Sequence, residues 1–130
     1  MEPGAPLSHA TRRALAEGSR LFDAGAFFAA HEAWEEAWRR EQGEVKALLH
    51  GLIQIAAGFH KGLVQGRSAG MAKLLGKGLV RVDAAGRPDL PSLEPFRSDV
   101  ARWIEAGRTW AEGGARPDLP LPRLDPRRGP

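Results

Sequence analysis

Residues 26–40 read AFFAAHEAWEEAWRR. Apolar side chains recur through this stretch at helical spacing, with no β-branched residue to argue for a strand. On a wheel of about 100° per residue, with His31 at zero, Trp38 falls at about −20°, Phe27 at −40°, Trp34 at −60°, Glu35 at 40° and Phe28 at 60°. An imidazole and a carboxylate therefore share an arc with four aromatic rings. Glu32 stands at the edge of that arc, and Glu36 lies further round. His31 and Glu35 are i and i+4, neighbours on a helix surface. A carboxylate set among aromatics costs several kcal/mol unless it is paired. The reading thus expects Glu35 to be buried and to find its partner in His31 or on another helix.

Working outward, the same periodicity continues in both directions. Upstream, Ser8 is a natural N-cap for a first helix that ends at Gly25. Downstream, EQGE breaks the chain at Gly43, and a third helix follows from about Glu44 to Val64. Val45, Leu48, Leu49, Leu52, Ile53, Ala56 and Phe59 make its broad apolar stripe. Gly66 stops it, and Ser68 opens a fourth helix with Met71, Leu74, Leu75, Leu79 and Val82 inward. AAGRPDLPSLEP is a loop. A fifth helix from about Glu94 to Ala111 carries Phe96, Val100, Trp103, Ile104 and Trp110 at helical spacing. Short connections favour antiparallel neighbours. The expected fold is all-α, a compact antiparallel bundle of about five helices over residues 5–114. Residues 115–130 hold five prolines and read as a flexible, disordered Pro/Arg-rich tail.

The bulk composition narrows the function classes. A chain of 130 residues suits one domain. It has no cysteine, which removes disulfides, thiolate metal sites and thiol nucleophiles from consideration. The formal charge is +3, and the tail from Ala115 contributes +2 of it. With the rest nearly balanced, a nucleic-acid footprint is not expected. No apolar h-region stands near the start and no run approaches a membrane span, so a soluble cytoplasmic protein with no membrane partner is expected. Fifteen of the 19 basic residues are arginine, and asparagine is absent. That bias fits a GC-rich genome or selection for thermostability.

A second polar line lies on helix three, where His50, Gln54, Ala57 and Lys61 follow one another at i, i+4, i+7 and i+11. Gly51 and Gly58 flank it and would admit a neighbouring backbone. FDAGAFFAAHEAWEEAW followed by HGLIQIAAGFHKG resembles the family catalogued as domain of unknown function 309. That family pairs a His-Glu-x-x-Glu-x-x-Trp helix with a Gly-Leu-Ile-Gln helix. Here these positions are His31, Glu32, Glu35 and Trp38, then Gly51, Leu52, Ile53 and Gln54. The family's later Gly-Asn-x-x-Gly-Ala stretch is met only in part, with Arg67 for Asn and Met71 for Ala. The resemblance spans roughly residues 18–85. It implies a small all-α fold and no particular activity.

The candidate site is therefore His31, Glu32, Glu35 and Gln54, walled by Trp34 and Trp38, between helices two and three. The function expected of it is binding or interaction, with a small polar ligand or peptide as partner and no cofactor. The alternative is a metal-assisted hydrolase-like enzyme using His31 and Glu35. HEAWE lacks the second histidine of a zincin helix, and no Glu-x-x-His pair recurs as in di-metal bundles, so no metal site is assigned. His60 reads as a satisfied core histidine. Apolar surface on two sides of helix three would suit a homodimer or a central helix in a monomer.

Overall fold

A computed structural model describes residues 7–85 and 93–124. Five α-helices follow in order: α1 His9–Asp23, α2 Phe27–Arg40, α3 Gly43–Phe59, α4 Ser68–Ala85 and α5 Leu93–Ala111. A π-helical turn, His60–Val64, extends α3. The start of the expected domain at residue 5 and most of the loop before α5 lie outside the described residues. Among those described, no strand occurs.

The helix ends follow from local chemistry. Ser8 Oγ accepts the Thr11 N–H at 3.1 Å, as an N-cap should. At the other end of α1, Gly25 takes φ +82°. The Gly25 N–H donates to Phe22 O and the Ala26 N–H to Leu21 O, each at 2.9 Å. These two bonds close a Schellman motif that turns the chain directly into α2. Thr11, fully buried, donates its hydroxyl to Glu41 just past α2 and ties the far ends of this hairpin together.

Successive helices pack on one another, and α3 sits at the centre with α2 and α4 beside it. Phe22 of α1 joins the layers. Its ring lies 5.3 Å from Phe27, 5.9 Å from Trp34, 5.7 Å from Phe59 and 5.8 Å from Phe96. Trp103 of α5 closes edge-on to Phe59 at 5.3 Å. Such edge contacts suit the ring quadrupoles and bury large apolar area. The α3–α4 contact is the most extensive, because glycines let the two backbones meet. A Cβ on Gly51 would stand 2.7 Å from Gly78 O, and one on Gly78 would stand 2.6 Å from Gly51 O.

The helix Gly43–Val64, counting its π turn, is 22 residues long and apolar enough to cross a membrane by length and composition. The expectation that no run approaches such a span is corrected here. In this fold the segment is the central helix of the bundle, with half of its most apolar window buried.

The tail differs from expectation. From Glu112 to Leu124 the chain has no regular helix or strand beyond a short turn, yet it packs along the bundle. Pro122 is fully buried, and Leu121 and Leu124 pack against the core. The Trp103 indole N–H donates to Pro120 O at 2.9 Å. Arg116 donates to Leu63 O at 2.7 Å, and the Leu124 N–H donates to Asp23 Oδ1 at 3.0 Å. The prolines explain why a strap without secondary structure can dock. They have no N–H to satisfy, and they reduce the freedom lost on ordering. Residues 125–130 lie outside the described residues.

Candidate functional site

The wheel of α2 needs a rotation. Its buried residues are Phe27, Ala30, Trp34 and Ala37. Alanines at 30 and 37 let neighbouring helices approach closely, and that close approach sets the buried side, more than ring count does. The arc centre therefore shifts by about 80° from His31. Trp34, expected as a wall of the site, is a core residue with no exposed surface, and its Nε1 faces Gly18 of α1 without a hydrogen-bond acceptor. Phe28, expected inward, is 54% exposed. Glu32 is exposed.

His31 and Glu35 stand on the rim. Their side chains are 25% and 35% exposed, with His31 Nε2 3.7 Å from Glu35 Oε2. Arg39 donates to Glu35 Oε1 at 3.1 Å. Glu35 is thus satisfied from its own helix, not by burial against α3, and a half-exposed pair of this kind contributes little. Glu35→Ala should cost no more than about 1 kcal/mol, close to Glu36→Ala. Urea midpoints of the two variants check this. A loss of 3–5 kcal/mol for Glu35 alone would return it to the buried class.

The outward line of α2 does meet the polar line of α3. Trp38 lies 5.9 Å from the His50 ring, and Phe28 lies 5.7 Å from the His60 ring. The same antiparallel register sets Glu35 level with Ile53 and Gln54. Gln54 itself turns toward α4, where its Oε1 accepts from Arg81 Nε at 2.9 Å. The result is a seam along one face of α2, α3 and α4. Lys46 Nζ covers Trp38 at one end, 4.5 Å from the ring centroid.

His50 is held below its ordinary pKa, by burial first and by the nearby Arg81 guanidinium second. The folded protein therefore binds this proton less readily than the unfolded chain. Its stabilising contribution is complete above a pH of about 6.5 and is lost as pH falls through the lowered folded value. His50→Gln should flatten that part of the stability profile, read as urea midpoints between pH 7.5 and 5. An unchanged slope would show that His50 titrates alike in both states.

At the other end of the seam lies a cavity of about 230 Å³ lined by Phe28, His31, Ala57, His60, Lys61, Gln65 and Leu74. Its shape depends on the π turn. There the Gln65 N–H reaches His60 O at 3.1 Å, five residues back. The wider turn re-aims His60 and Lys61, and π turns are frequent where helices carry function. His60, read from sequence as a core histidine, is half-buried and lines this cavity. Sequence reasoning placed Lys61 on the polar line but did not foresee the cavity, because a π turn has no spacing signature. The glycines at 62, 66 and 70 were the available hint.

Residues 15–74 match a protein family described as Domain of unknown function (DUF309). This segment is similar to DUF309. It contains α2, α3, the π turn and the first part of α4, and every residue lining the Phe28–Lys61 cavity falls inside it. Arg81, α5 and the strap lie beyond the DUF309 match. No curated protein matches the chain at a significant level. Among the described residues of the DUF309 segment and its surroundings, no three His, Asp or Glu side chains converge as a metal would need. His31 and Glu35 are two such donors, and among the described residues no third completes a metal set with them.

Proposed function

We propose that this chain is a small helical binding module whose ligand lies along the α2–α3 seam and is anchored in the Phe28–Lys61 cavity. The observation that carries this reading is the convergence, from α2 and the π turn, of an exposed aromatic ring, two histidines and a lysine around one cavity. Ligand sites combine apolar walls with a few directed polar groups in this way. A larger groove, about 830 Å³, runs between α1 and α2. It suits a ligand less well. It is broad and open, and two of its arginines already hold carboxylates of their own helices, Arg20 with Glu17 and Arg40 with Glu36. The metal-assisted hydrolase reading has less support, since its donor set is incomplete among the described residues.

A fragment screen followed by backbone and side-chain NMR tests the proposal. Hits should shift the signals of Phe28, His31, His60 and Leu74 in a saturable manner. Hits confined to the α1–α2 groove, or none at the seam, would sink it.

A further inference from the structure

We infer that the Phe28–Lys61 cavity recognises a carboxylate joined to a compact apolar group, from a free small acid or from the C-terminal residue of a peptide. This inference rests on the reading of the seam as a binding face and assigns its ligand class.

The cavity is divided in character. Phe28, Ala57 and Leu74 supply apolar wall, while Lys61 and the two imidazoles supply donors. Lys61 is held in place by its stem. A Cβ on Gly70 of α4 would stand 2.4 Å from Lys61 Cδ, so the aliphatic chain lies across that bare glycine, and Lys61 lines the cavity. Lysine stems regularly lie along apolar surface with the charged head free.

The carboxylate nearest the cavity is already engaged, and Lys61 has no share in it. Arg39 holds Glu35, which also stands beside His31. Among the described residues no carboxylate pairs with Lys61. An ammonium beside an aromatic wall favours an anion, because charge-assisted hydrogen bonds strengthen where apolar surface excludes water. One ammonium with two imidazoles suits a single negative charge better than a phosphate dianion, which needs more donors. The size agrees. About 230 Å³ equals roughly seven or eight water volumes of ~30 Å³, room for one ring or one branched chain with its carboxylate.

The test titrates the full chain with sodium benzoate and, separately, with benzyl alcohol, following Phe28, His60 and Lys61 by NMR at constant ionic strength. Benzoate should bind saturably at least tenfold tighter than the alcohol. Lys61→Gln should erase that preference and leave alcohol binding unchanged, while Lys61→Arg retains it. Equal binding of acid and alcohol would overturn the carboxylate assignment and leave the seam reading standing. No saturable shift at the cavity with either probe would overturn both. A tripeptide ending in Phe, with a free or an amidated C-terminus, separates the two sources. Tighter binding of the free-carboxyl peptide than of benzoate assigns the site to peptide ends, and the reverse order assigns it to free acids. An amidated peptide binding as well as the free one would refute the inference.

Discussion

Gly78→Ala should destabilise the fold by about 1–3 kcal/mol, whereas Gly76→Ala, two residues earlier on the same helix, should stabilise it by about 0.5–1 kcal/mol. Both exchanges gain the same helix propensity, because alanine loses less backbone freedom than glycine on entering a helix. They differ in what the new methyl meets. At Gly76 nothing lies within 4 Å. At Gly78 a Cβ would stand 2.6 Å from Gly51 O and 3.0 Å from Ile55 N. Those are backbone atoms of α3, and no rotamer change can move them aside. The helices must separate, which loosens the packing of Ile55 and Val82 along with them. Gly51→Ala should behave like Gly78→Ala, since its Cβ meets Gly78 O and Val82. Once one methyl has forced the helices apart, the second should cost less, so the double variant should fall short of additivity. Urea denaturation of the four proteins decides the matter. Similar stabilities for the Gly76 and Gly78 variants would mean that α3 and α4 do not approach as described.

Removing residues 115–130 should lower stability by an estimated 2–4 kcal/mol and the melting temperature by roughly 10 °C. Leu121, Pro122 and Leu124 would lose their burial, and Trp103 would lose both its cover and the carbonyl that accepts its indole N–H. Burial of a leucine is worth about 1.5–3 kcal/mol. The entropy of ordering the strap offsets part of this, and its prolines keep that offset small. A double exchange, Leu121→Ser with Leu124→Ser, should reproduce most of the loss in the full-length chain. A truncated protein that melts within a degree or two of the full chain would show that the strap only rests on the surface.

Much of the architecture was legible in the residues. Five helices, the stops at Gly25 and Gly66 and the cap at Ser8 are written in local periodicity and backbone chemistry. Gly51 and Gly58 already marked where another backbone would come close, and α4 meets α3 at both. The two polar lines, His31–Glu35 on α2 and His50–Gln54–Lys61 on α3, were also readable, because i and i+4 spacing follows from the helix itself.

Position within the bundle was not readable. A wheel shows which residues share a face but not how deep that face lies. Phe28 and Trp34 stand about 120° apart on α2, and only packing decided that Trp34 is enclosed while Phe28 faces solvent. Glu35 came to the rim for the same reason, and so did not need a buried partner. The cavity required three long-range facts at once: the α2–α3 register, the π turn at His60–Val64 and the bare Gly70 beneath Lys61. The strap required another, because a proline-rich segment that looks disordered in isolation docks, with Pro122 buried, once Trp103 offers a donor and an apolar floor. Local sequence determined the helices and their polar lines through interactions a few residues long. Tertiary structure decided burial, the cavity and the docked strap, because those depend on surfaces that meet only when distant segments pack.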